Sequence, residues 1–137
     1  MNNNSDFVKL LMIDNQPAGD TFIDYPSWKD IEEALYLMDG HYRTYLGLYK
    51  QEEPGQDFLM VGGGRDGIYV CSYYNKNMEY YVLNETVADP ETVIDVPIGQ
   101  MNAKQKIYCN ALADIVESVQ YFFQTGTMNP LVKWIQV

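Results

Sequence analysis

Apolar and polar positions change period several times along the chain, and each change marks an element. "FVKLLMID" (7–14) is a dense apolar run of strand length, broken by the turn-forming "NQPAGD". "TFIDYP" then leads into a helix: Ser27 can cap it, and Asp30 three residues on completes a box of the S-x-x-D kind. Trp28, Ile31, Leu35 and Met38 share one helical face, Asp30, Glu32, Glu33 and Asp39 lie elsewhere, and Gly40 is the expected end.

Strand-like composition comes next. "YRTYLGLYK" (42–50) is a strand, "QEEPGQ" a turn, and "FLMV" and "GIYVCSYYN" are strands on either side of a glycine block. "NKN" (75–77) turns the chain into "MEYYVLN", so successive strands form an antiparallel meander. After the acidic connection "ETVADPET" comes a short strand, "VIDVPIG" (93–99). Asn110 is the expected cap of a second helix with Leu112, Ile115, Val116, Val119, Phe122 and Phe123 on a wide apolar face and Gly126 at its end. "LVKWIQV" finishes as a last short strand or an extended tail. The pattern predicts one α+β domain over residues 1–137: a mostly antiparallel sheet of about six strands covered by two helices. Trp28, Trp134, Phe122 and Phe123 are expected in its core.

The glycine block raises the first chemical question. Gly62, Gly64 and Gly67 spell G-x-G-x-x-G, but a dinucleotide loop needs a helix opening at its last glycine, and in this chain that glycine opens a strand. Asp66-Gly67 between two apolar runs instead signals a hairpin with a type I′ turn, leaving Gly62 to Gly64 as a bulge or a point of close packing.

Candidate catalytic groups are few. His41 is the lone histidine and lies just past a helix end, where it serves better as a cap than as a base. Cys71 and Cys109 belong to no C-x-x-C and are expected as reduced, partly buried thiols; no metal-binding spacing occurs. The expectation is a non-enzyme with no cofactor and no metal. No run is long and apolar enough for a membrane span and "MNNNSDF" is unlike a signal peptide, so the expected location is the cytoplasm, with no membrane partner.

Charge changes the picture most. A formal net charge of -10 over 137 residues repels phosphate backbones, which argues against nucleic acid as a partner, and would steer a basic protein into contact. Solubility alone also favours acidity. Twelve tyrosines add rings that are apolar in body and polar at the tip, although tyrosine is also an ordinary strand former. Alternation places only one of Tyr73 and Tyr74, and one of Tyr80 and Tyr81, on the core face. The candidate partner-binding residues are the acidic and aromatic groups at turns and hairpin edges: Glu52, Glu53, Asp57, Tyr73, Tyr74, Glu79, Tyr81, Asp89 and Glu91.

The ordered set "SWKDIEEAL…LMDG", "YRTYLGLY", "FLMVGGGRDGIYVCSYY", "EYYVLN", "VPIGQ", "YFFQTG" and "VKWIQV" resembles the immunity family numbered one of bacterial polymorphic toxin systems, from about Trp28 to Trp134. The chain departs from the family in having Ile98-Gly99-Gln100 where a fuller Gly-Gly-Gln segment is common. The resemblance implies a protein that binds and inhibits a cognate toxin, often a nucleic-acid deaminase or nuclease, by occluding its active site. Two other classes stand beside it: a small-ligand-binding domain using the Gly62–Gly67 hairpin and nearby tyrosines, and an oligomerising module with a homodimer interface.

Overall fold

The computed structural model describes residues 7–15, 17–83, 93–95, 102–104, 107 and 112–136. The fold is α+β, dominated by antiparallel sheet. Strands β1 (Leu10–Ile13), β2 (Thr21–Asp24), β3 (Tyr45–Tyr49), β4 (Asp57–Gly63), β5 (Tyr69–Asn75), β6 (Met78–Val82) and β9 (Trp134–Ile135) form one seven-stranded sheet in the order β2-β1-β3-β4-β5-β6-β9. A separate two-stranded ribbon pairs β7 (Val93–Asp95) with β8 (Asn102–Lys104). The helices are α1 (Trp28–Tyr36) and α2 (Leu112–Thr125).

Period-2 alternation sorts each strand into two faces. Ile23, Leu11, Leu48, Leu59, Tyr73 and Tyr80 form one row across six successive strands of the sheet, and Ile13, Leu46, Val61 and Cys71 form the next. These rows pack with Ile31, Ala34 and Leu35 of α1 and Ile115, Val119, Phe122 and Phe123 of α2 in one apolar cluster. Both helices therefore lie on the inner face of the sheet. The rings of Trp28 and Phe123 meet at 5.7 Å, as do those of Tyr73 and Phe122. Trp134 packs against the cluster and its indole N–H donates to Asn129 O at 2.9 Å. As alternation requires, Tyr73 and Tyr80 face the core, while Tyr74 and Tyr81 face the other way.

Local signals explain the helix ends. Ser27 Oγ accepts the Asp30 N–H and Asp30 Oδ2 accepts the Ser27 N–H, the reciprocal box expected from the sequence. Gly126, at φ +73°, closes α2 by donating its N–H to Phe122 O at 2.7 Å.

Four expectations need correction. Helix α1 stops at Tyr36 rather than running to Gly40, because the Asp39 carboxylate accepts the N–H groups of His41, Tyr42 and Arg43 and offers the backbone a turn instead. "TFID" is itself a strand, which with β9 raises the main sheet from the expected six strands to seven. The described part of "VIDVPIG", Val93–Asp95, pairs with Asn102–Lys104 outside the main sheet, and its remaining residues lie outside the described ones. Asp66-Gly67 is not a two-residue type I′ turn: pairing ends at Gly63 and Tyr69, and Asp66 lies within a 3₁₀ turn spanning Arg65–Gly67. The two-residue loop with both φ angles positive is Lys76-Asn77, between the paired Asn75 and Met78. Asn110, Cys109 and the Ile98–Gln100 segment lie outside the described residues.

Candidate partner-binding surface

The glycine turn is occupied by its own chain. The N–H groups of Gly63, Gly64 and Gly67 donate to the carbonyls of Thr44, Ile68 and Gly64, so none of them is aimed at a ligand. A Cβ on Gly64 would sit 3.0 Å from the Met38 carbonyl carbon, and one on Gly40 would sit 2.3 Å from Arg65 N. The glycines let the end of α1 lie directly on the β4–β5 turn.

A second polar cluster lies where α2 ends over the inner face. Lys50 Nζ stands 3.3 Å from Asp57 Oδ2 and donates to Gly126 O at 3.1 Å, a favourable place for a cation because the helix C-terminus carries partial negative charge. The Tyr73 hydroxyl donates to Asp57 Oδ1 at 2.7 Å and accepts from Asn75 Nδ2 at 3.2 Å. Burial, and after it the Asp57 hydrogen bond, push the Tyr73 phenol up to about 12. Lys50, Tyr73 and Asn75 border an open groove of about 490 Å³ that also takes in Met78, Tyr80 and Met128. Each charge in the Lys50–Asp57 pair is matched, so the cluster works as a clamp between helix and sheet.

The outer face carries a second set of aromatic and acidic groups: Tyr49 is buried, Phe58, Tyr74, Tyr45 and Tyr81 are half-buried, and Glu79 and Asp20 are exposed. Tyr49, Phe58, Tyr74 and Glu79 lie opposite one another on adjacent strands, with ring centroids 4.9 Å apart for Tyr49–Phe58 and 5.3 Å for Phe58–Tyr74. Tyr81 donates to Glu79 Oε1 at 2.8 Å, and Tyr45 donates to Asp20 Oδ1 at 2.8 Å. At the tip, Tyr25 donates to Glu52 Oε1. Burial first, and then the carboxylate partner, raise the Tyr45 and Tyr81 phenols; for exposed Tyr25 the Glu52 hydrogen bond is the leading cause. A phenol that stays protonated beside a carboxylate fixes one of its oxygens and leaves the negative charge in place. The result is a set of oriented anions beside an aromatic stack, suited to receiving Lys or Arg.

The structure distributes the sequence-derived candidates unevenly. Tyr74, Glu79 and Tyr81 come together on the outer face, and Glu52 and Glu53 are exposed in the β3–β4 turn. Tyr73, only 6% exposed, and Asp57 belong to the inner clamp. Asp89 and Glu91 lie outside the described residues. Sequence reasoning missed Tyr25, Asp20, Tyr45, Tyr49 and Phe58. The Tyr81–Glu79 pair was legible as i, i+2 neighbours on one strand face, whereas Tyr25–Glu52 and Tyr45–Asp20 join positions 27 and 25 residues apart and leave no local signal. Among the described residues no three potential metal ligands converge, and no helix is long and apolar enough to cross a membrane.

No protein-family model matches the chain, and no curated protein sequence matches it significantly.

Proposed function

We propose that this protein is an immunity-type inhibitor that captures a basic protein toxin in the cytoplasm and covers its active site. The observation that carries this reading is the outer face of the sheet, where phenol-held carboxylates flank the half-buried rings of Phe58 and Tyr74, backed by buried Tyr49, in a chain of net charge -10. Aromatic rings give a partner contact area at low entropy cost, and fixed anions meet Lys and Arg without first having to be ordered. The field of the whole protein speeds encounter, and desolvated ring and carboxylate contacts slow release. A toxin that acts on nucleic acid needs a basic cleft for its own substrate, so an acidic inhibitor is complementary to it. The resemblance of the glycine block and the "YFFQTG…W" ending to the immunity family supplies the toxin as the class of partner. The test is a pull-down from lysate of the source organism followed by co-expression. The expected result is one stoichiometric basic partner whose toxicity disappears when this protein is co-expressed; full toxin activity in the presence of excess protein refutes the proposal.

A further inference from the structure

We infer that the free edge of β2 accepts an extended basic strand from the captured protein, adding an eighth strand to the sheet. The inference rests on the proposed capture of a basic protein and specifies how that partner docks. Among the described residues β2 is the terminal strand of the sheet and pairs with β1 alone. Tyr25 N–H donates to Lys9 O at 2.8 Å, and the Leu11–Ile23 and Ile13–Thr21 pairs continue that alternation. The N–H and C=O groups of Phe22 and Asp24 consequently point away from β1, at the open edge. β2 carries no lysine, proline or bulge; its four residues are guarded by shortness and by the charge of Asp24, a guard that repels a second acidic strand and not a basic one. Phe22 is a large apolar side chain 51% exposed there among the described residues.

Charge selects the occupant. Asp20, Phe22 and Asp24 share the outer face by alternation, with the two carboxylates about 13 Å apart at the strand's rise per residue. Tyr45 holds Asp20 from the neighbouring face of β3. In an antiparallel pair of two β2 edges centred on Phe22, each Asp20 would stand opposite an Asp24, and like charges directly opposite are destabilising. A second copy is therefore disfavoured. A strand with the pattern basic-x-apolar-x-basic would pair both carboxylates and cover Phe22 in the same register. Such a strand extends the outer face on the side of β2 away from β1, three strand spacings or about 14 Å from β3, so it is a contact separate from the aromatic stack.

The test uses the full chain, isotope-labelled, and a capped peptide Thr-Lys-Thr-Phe-Thr-Lys-Thr, whose palindromic sequence presents the same face in either strand direction. The control replaces both lysines with glutamate. With free peptide at about nine times its dissociation constant, amide exchange at Phe22 and Asp24 is expected to slow about tenfold, with no change for the glutamate peptide. Phe22→Pro removes an outward donor at a position an edge strand tolerates, and Asp24→Lys reverses one charge while keeping every backbone donor; both are expected to abolish the protection. Absence of lysine-peptide protection at Phe22 and Asp24 overturns the edge inference, and so does equal protection by both peptides or saturable binding that Asp24→Lys leaves unchanged. Concentration-dependent self-association through β2 overturns it in favour of a second copy. The capture reading is judged separately, by whether a basic partner is inhibited, and survives failure of the peptide.

Discussion

Replacing Gly40 by alanine, beside the same change at Gly19, isolates the close approach on which the architectural account of the glycines depends. Both residues have left-handed backbone, with φ +69° at Gly40 and +98° at Gly19, so both variants carry the conformational strain of a side chain in that region, roughly 1–3 kcal/mol. Only one of them also meets matter. The new methyl at Gly40 would lie 2.3 Å from Arg65 N, 2.5 Å from Arg65 Cβ and 2.8 Å from Arg65 Cα, whereas at Gly19 nothing lies within 4 Å. Backbone cannot step aside as a flexible side chain can, so the α1 end must lift from the β4–β5 turn, an overpacking cost of about 1–3 kcal/mol. Gly40→Ala is thus expected to lose about 1–3 kcal/mol more than Gly19→Ala. For a chain of this size each kcal/mol moves the melting midpoint by about 4 °C, which makes the gap roughly 4–12 °C. Urea unfolding followed by circular dichroism, with an unchanged m-value, gives the same comparison at constant temperature. Equal losses in the two variants would refute the reasoning, since strain alone would then account for both.

Other consequences are as specific. Phe122→Ala, at a fully buried ring packed edge-on against Tyr73, is expected to cost about 3–5 kcal/mol in urea unfolding; a loss below about 1 kcal/mol would contradict its place in the core. The phenol of Tyr73 is raised in the folded state to about 12 from an unfolded value of about 10, so its contribution to stability is complete below about pH 10 and is lost as pH climbs toward 12. Tyr45 and Tyr81 are raised too, with the same sign. Phenolate absorbance should accordingly show a late-titrating group of tyrosines that coincides with falling urea stability, and a single transition near the ordinary tyrosine value would argue against it. Tyr25 holds left-handed backbone at φ 49°, a conformation a bulky side chain rarely adopts, while its phenol orients Glu52. Tyr25→Gly should therefore raise the urea midpoint and weaken partner capture together; a drop in both would assign the tyrosine a structural role instead.

Elements whose cause is local were legible in the sequence. The Ser27–Asp30 box, the close of α2 at Gly126, the apolar face of that helix and the opposed directions of Tyr73 and Tyr74 follow from spacing alone. The end of α1 was not, because Gly40 looks like a helix terminator while the decisive group is the Asp39 carboxylate, which gathers three N–H groups ahead of it. Its acidity is increased chiefly by the Arg43 and His41 backbone donors, a mark of how firmly that turn is held. The turn at "NKN" was legible, but its two positive φ angles were expected at Asp66-Gly67 for a related reason: Asp-Gly is the stronger local signal, but glycines at 63 and 64 turn the chain first and leave Asp66 inside a longer loop. Half of the candidate surface was beyond reach because it is assembled across strands. Tyr49, Phe58 and Tyr74 stack only once β3, β4 and β5 are in register, and Asp20 meets Tyr45 only after β1 and β3 have paired.

The central claim, capture of a basic toxin by the outer face, is tested most directly by comparing the wild-type chain with the triple variant Glu52→Lys, Glu79→Lys, Tyr74→Ala as bait in lysate of the source organism, at low and high salt. Glu52 and Glu79 are exposed and Tyr74 is half-buried against Phe58, so the variant should stay folded with its stability in urea lowered by about 0.5–1.5 kcal/mol, the contribution of that ring contact. The account predicts that wild type retains a basic protein at low salt, retains less of it as salt screens the steering field, and neutralises its toxicity on co-expression, while the variant does none of these. A partner held and neutralised equally by the wild type and the folded variant would contradict it.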